Sequence, residues 1–200
     1  MQTLFRPLQH FVLFHGRTVP LQDSFDRVLK CAALLQEQLF DDRQKVALSL
    51  ELLLRHPRKW LLRSPEDQAE LFETIWRELM QTERPGGVSG PRAVDFIRDS
   101  DLIYSSFRQA YGIDLFSKRG KLSWWEFLAL FQGLPSGTKM REVIDIRTRE
   151  LPAATRHNQK EIQALTKLKA HYALHETNGD EYQSGLEKLF GALKRQAVIR

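Results

Sequence analysis

Two hundred residues suffice for one domain, or for a domain with a small extra lobe. The chain is 42% hydrophobic and 28% charged, a globular composition that excludes an intrinsically disordered chain. No run approaches the ~20 apolar residues of a membrane span, and the net charge of +5 is spread through segments of mixed sign, so neither a membrane nor a nucleic acid is an expected partner.

Along the chain, the first residues (Met1-Gln-Thr-Leu-Phe-Arg-Pro-Leu8) lack a basic stretch followed by an apolar core, so no export signal is read. Phe11-Val-Leu-Phe-His-Gly-Arg-Thr-Val-Pro-Leu21 reads as two short β runs around His15-Gly16, where glycine supplies a turn. Residues 1–22 are thus an N-terminal β-hairpin arm, with Pro20 at an edge or strand end. A helical half is expected over 23–83. Asp23 or Ser24 can cap a helix through Leu39, with Phe25, Val28, Leu29, Ala32, Leu35 and Leu39 at helical spacing. Asp41 can cap a second carrying Val46, Leu50, Leu53 and Leu54, which Pro57 ends or interrupts. Ser64-Pro65-Glu66-Asp67 combines a cap, a first-turn proline and acids at the positive end of the dipole. The helix it opens sets Leu71, Phe72, Ile75, Trp76, Leu79 and Met80 on one stripe.

Residues 84–92 are a Pro/Gly linker, because Glu83 to Pro91 holds two prolines and three glycines. A second helical half follows over 93–175. Its first helix is predicted from Ala93 to Tyr111, stopped by Gly112. Ser123 and Glu126 form a capping box before the doublet Trp124-Trp125. In that helix Trp124 shares a face with Phe127, Leu128, Phe131 and Leu134, a core face. Trp125 lines up with Ala129 and Gln132 instead. Gly133 and Pro135 close it, Thr138 opens another through Arg149, and Asn158 to Leu174 forms a further helix with Ile162, Leu165, Leu168 and Leu174 inward. Thr177-Asn-Gly-Asp180 is a turn, and residues 176–200 carry an amphipathic tail. The expected fold is mainly α, a multi-helix bundle with a small N-terminal β-hairpin.

Chemistry-bearing motifs are scarce. There is no G-x-S-x-G and no H-E-x-x-H. The single cysteine, Cys31, excludes an intrachain disulfide and reads as a packed small residue. His171 and His175 share a helix face, but only Glu176 could join them as a metal ligand. Asp99/Asp101 and Glu66/Asp67 lie at helix starts, where the dipole accounts for them, and Asp114 suits a turn. Lys160, Lys167, Lys169 and Lys194-Arg195 carry the minor nucleic-acid alternative, without any fingerprint to support it. No catalytic residue, cofactor or metal site is expected. Aromatics cluster between Phe96 and Phe131, and Trp, Tyr and Arg are the residue types enriched at binding hot spots. The candidate partner-binding residues are Tyr104, Phe107, Arg108, Tyr111, Trp125 and Arg147.

Three segments together resemble a known family: Asp99 to Leu115 with its Tyr111-Gly-Ile-Asp-Leu115, Leu122-Ser-Trp-Trp-Glu-Phe127 and its continuation to Leu134, and Val143-Ile-Asp-Ile-Arg147. The pattern resembles the bacteriophage gene-product-fifteen family of long-tailed phages and prophages, over about residues 95–175. The resemblance implies a non-enzymatic tail assembly chaperone, encoded just ahead of the tape-measure gene. It implies binding to the tape-measure protein, help in recruiting tail-tube subunits, and a possible homo-oligomer. Localisation in the bacterial host cytoplasm and absence from the mature virion follow from that role. A structural component that stays in the tail is the alternative.

Overall fold

A computed structural model describes residues 10–80, 93–156 and 158–174. The linker, the Thr177 turn, the tail, His175, Glu176, Lys194 and Arg195 lie outside the described residues. The fold is mainly α: eight helices and one two-stranded antiparallel sheet among the described residues. These residues form two compact units. The first comprises 10–80 with Arg119–Phe127; the second comprises 93–118 with the described residues from Leu128 on.

The first unit opens with the hairpin, β1 (Phe11–Phe14) and β2 (Arg17–Pro20), in the register Val12 opposite Val19 and Phe14 opposite Arg17. His15 and Gly16 both take positive φ, 46° and 73°, the pair a two-residue mirror turn requires. Val12, Phe14 and Val19 point inward and Leu13 outward, as strand alternation demands. Four helices follow: α1 (Phe25–Gln36), α2 (Asp42–Leu53), α3 (Arg58–Leu61) and α4 (Pro65–Met80). Asp41 and Gln44 form a reciprocal capping box at α2, and the Ser64 hydroxyl accepts from the Asp67 N–H at α4. Leu71, Phe72, Ile75, Trp76 and Leu79 are buried, as their stripe predicts, whereas Met80 at its end is exposed.

Two expectations fail at α1. The helix stops at Gln36, and Leu39 lies in the exposed connection to α2. Ser24 is the N-cap residue, yet its side chain makes no capping bond. Its backbone is committed elsewhere, in an antiparallel bridge with Ser123. The Phe25 N–H donates to the Leu122 carbonyl at 3.0 Å, and the Trp124 N–H to the Asp23 carbonyl at 2.7 Å. The Gly120 N–H adds a bond to the Asp26 carboxylate at 2.8 Å. The start of α6 (Trp124–Gln132) is therefore sewn to the start of α1 by backbone. The expected capping box is present: the Ser123 N–H donates to Glu126 Oε2 at 2.9 Å, and the Glu126 N–H to Ser123 Oγ at 3.3 Å.

That start fixes both indoles. Trp124 is 4% exposed, donates its ring N–H to the Leu79 carbonyl at 3.0 Å, and stacks on Phe127, which stacks in turn on Phe25. Trp125 is half-buried, on a strip with exposed Ala129 and Gln132.

In the second unit, α5 (Ser100–Tyr111) begins seven residues later than predicted. The Asp95 carboxylate accepts from the N–H groups of Ile97 and Arg98, and a turn replaces the expected first helical turns. Gly112, at φ 66°, ends α5 in the left-handed conformation. The helices α7 (Lys139–Thr148) and α8 (Gln159–Tyr172) pack against each other, and α7 also packs on α5. Of the four apolar residues expected to face inward on α8, only Leu165 is buried, and Leu168 is exposed. Lys139 bridges α7 and α8: it pairs with Glu142 at 3.1 Å and lies 5.7 Å over the Tyr172 ring.

The tryptophan doublet separates by energy. Trp124→Ala should lower unfolding free energy by roughly 3–5 kcal/mol, the cost of a large aromatic truncated in a core. Trp125→Ala should cost under about 2 kcal/mol, as expected of a half-buried side chain. Denaturant unfolding of the two variants checks this, and equal losses would contradict the assignment.

Candidate functional site

The second unit is organised around a buried ion pair. Arg147, near the end of α7, donates from Nη1 to Asp99 Oδ2 at 2.6 Å and from Nη2 to Asp99 Oδ1 at 2.8 Å. Their side chains are 9% and 4% exposed. Arg147 also donates from Nη1 to the Ala93 carbonyl at 2.9 Å and from Nε to the Tyr172 carbonyl at 2.7 Å. Asp99 Oδ2 accepts the Asp95 N–H at 2.9 Å. Lys169 closes the arrangement by donating to the Arg147 carbonyl at 3.0 Å. Four elements thus converge on one guanidinium: the segment leading into α5 at Ala93, the start of α5, the end of α7 and the end of α8.

This framework fixes which faces of α5 turn in and out. Ile103, Ser106 and Phe107 are buried, and the Ser106 hydroxyl accepts the Met140 N–H at 3.0 Å at the start of α7. One turn from Phe107, Tyr111 is half-buried and donates its hydroxyl to the Leu130 carbonyl at 2.8 Å. Gly133 accommodates that hydroxyl; a Cβ there would lie 3.2 Å from it.

The outer face of α5 carries Asp101, Tyr104, Ser105 and Arg108. Tyr104 is half-buried, and against it sits Phe116, ring centroids 5.0 Å apart. Phe116 is 59% exposed. A turn after α5 holds it there: the Phe116 N–H donates to Asp114 Oδ1 at 3.0 Å, the Ser117 hydroxyl donates to the Asp114 carbonyl at 2.8 Å, and Leu115 is buried beneath. Asp114 is therefore the turn residue its position suggested. Arg108 is exposed and donates to the Gly112 carbonyl at 3.1 Å, leaving most of its N–H groups facing solvent.

Set against the six sequence candidates, the structure brings Tyr104 and Arg108 together on one exposed face and adds Phe116, which the sequence reading did not single out. Two candidates are corrected. Phe107 is fully buried and packs in the interior. Arg147 spends its guanidinium on Asp99 and two carbonyls, so it is a structural cation and not a surface anchor. Tyr111 is half-buried with its hydroxyl engaged. Trp125 belongs to the first unit. The signal for Phe116 was available in principle: a large apolar residue after an Asx-type turn, outside any helical stripe.

Among the described residues no three His, Cys, Asp or Glu side chains group as metal ligands, and no helix is long and apolar enough to cross a membrane. Lys169 is committed to α7. Cys31 is fully buried, and burial pushes its thiol up to about 12, with the neighbouring Ser49 hydroxyl opposing weakly.

Comparison with known proteins decides the family. Residues 7–174 match the bacteriophage Gp15 protein family. The chain belongs to this family. No curated protein and no solved structure matches it. The family match runs through both units, from the hairpin to the last turn of α8. It therefore covers the Asp99–Arg147 framework and the Tyr104–Phe116 face of this Gp15-family protein.

The raised Cys31 thiol has a pH consequence. Below about pH 9 native and unfolded thiols are both protonated, so Cys31 adds no pH dependence. Between about 9 and 12 the unfolded thiol gives up its proton and the native one keeps it, so stability falls as pH rises. Denaturation at pH 8, 9, 10 and 11 should show a steeper decline for wild type than for Cys31→Ala. Identical slopes would contradict the burial of the thiol.

Proposed function

We propose that this Gp15-family protein is a non-enzymatic phage tail assembly chaperone. It binds the tape-measure protein in the host cytoplasm, helps recruit tail-tube subunits, and is left out of the finished virion. The observation that supports this reading best is exposed Phe116 against half-buried Tyr104, with Arg108 one turn along α5. The three side chains combine apolar area, an aromatic hydroxyl and a cation in one patch, the mixture found at protein-binding hot spots.

The physical need for such a chaperone is clear. A long helical protein with an apolar stripe aggregates until the stripe is covered. Phe116 can cover part of such a stripe, Tyr104 can add edge contacts and a hydrogen bond, and Arg108 can pair with an acidic residue beside it. Each contact is small, but many copies along one filament hold it collectively. The buried Asp99–Arg147 pair keeps the face in one conformation, so little ordering entropy is lost on binding.

Co-expression with the tape-measure protein of the same phage tests the reading. Soluble tape-measure yield should rise several-fold, and the two should co-purify. The double substitution Tyr104→Ala/Phe116→Ser should abolish both effects while keeping a cooperative thermal transition, lowered by no more than a half-buried ring costs, about 2 kcal/mol, since Phe116 is exposed and Tyr104 half-buried. No gain in solubility and no co-purification with wild type would contradict the chaperone role. Stoichiometric recovery of the protein from purified particles by mass spectrometry would favour a structural tail component instead.

A further inference from the structure

The first unit carries a surface with a different logic. Phe25, Val28 and Cys31 of α1 face the core. On another face of α1, Ala33 and Leu34 join Leu48 and Leu52 of α2 to line an open groove of about 360 Å³, rimmed by Lys30, Glu37 and Glu51. The leucines are half-buried and the three charged residues exposed. None of the three enters an ion pair among the described residues.

Lys30, Ala33 and Leu34 share one face of α1, and Glu37, the residue that follows its last turn, lines the same groove. Their order has an internal symmetry. About the midpoint between Ala33 and Leu34, the small Ala33 mirrors the large Leu34, and the cation Lys30 mirrors the anion Glu37. A two-fold axis through that midpoint would run α1 antiparallel to α1 of another molecule. Lys30 would then face Glu37 of the partner, and Glu37 would face the partner's Lys30. Ala33 would receive the partner's Leu34, in the size alternation that lets helices pack closely. Leu48 and Leu52 would be covered from the side. Both charges on α1's side of the groove, Lys30 and Glu37, thus meet an opposite charge.

We infer that the α1–α2 groove is the contact surface for a second copy of this chain, in an isologous antiparallel dimer. A parallel arrangement would set Lys30 against Lys30 and Glu37 against Glu37, so charge selects the antiparallel one. The inference is independent of tape-measure binding, which the second unit's face would perform.

Charge inversion tests it directly. By analytical ultracentrifugation the wild type should dimerise in a concentration-dependent way. Lys30→Glu alone and Glu37→Lys alone should each weaken self-association about tenfold or more, since two attractive pairs become repulsive. Mixing the two single variants in equal amounts should restore association, because the acidic face of one meets the basic face of the other. The double variant Lys30→Glu/Glu37→Lys should self-associate like wild type. Both positions are exposed, and circular dichroism checks that the fold is kept. A wild type that stays monomeric at hundreds of micromolar, single variants that associate normally, or a mixture that fails to recover would each overturn the inference.

Discussion

A buried arginine must be matched or the fold around it fails. Arg147 places a planar cation where its side chain is nine-tenths buried, and desolvating a charge costs several kcal/mol unless the partners are well placed. Asp99 meets it with both oxygens, and the carbonyls of Ala93 and Tyr172 take two further N–H groups. Four of the guanidinium's five donors are thereby used. The pair is less a source of raw stability than a condition on geometry. The starts and ends of α5, α7 and α8 must be placed together for those four donors to be satisfied at once. The outward face of α5 inherits that placement, and with it the tilted contact of Tyr104 with Phe116.

The first unit solves its own problem with backbone. The segments before α1 and α6 pair through Ser24 and Ser123, so two helices separated by about a hundred residues start side by side. Trp124 then reaches the last turn of α4 with its ring N–H, which satisfies a carbonyl at a helix end. A buried indole with a bonded N–H serves both packing and polar satisfaction. The long sequence separation of these contacts makes them costly to form early, since loop closure comes first.

Local chemistry was the legible part of the sequence. The His15-Gly16 turn, the Asp41 cap, the Ser123/Glu126 box, the Ser64-Pro65 start and the Gly112 stop all act within a few residues, and all appear in the structure. Long-range commitments were not legible. Asp99 looked like a residue favoured by a helix dipole, yet its partner is Arg147. Arg147 looked like a surface anchor for the same reason: its acid lies 48 positions away. Ala93 to Asp95 read as helix because nothing nearby forbids it, but the carboxylate of Asp95 offers the backbone a turn that competes with helix. The one-turn helix α3 was too short for any periodic pattern to show. Phe116 was passed over because a lone aromatic in a loop carries no period. The candidate face was thus half readable, through Tyr104 and Arg108, and half dependent on where a turn sets one ring.

The Asp99–Arg147 pair dictates the geometry of the unit that presents this face. A double-mutant cycle on unfolding free energy measures that most directly. Asp99→Asn and Arg147→Met should each cost roughly 3–5 kcal/mol, because each leaves a buried partner unmatched. The double variant should cost clearly less than the sum of the two, by about 2 kcal/mol or more of coupling. Single substitutions that cost under about 1 kcal/mol and simply add would show that the pair is incidental, and would contradict the account.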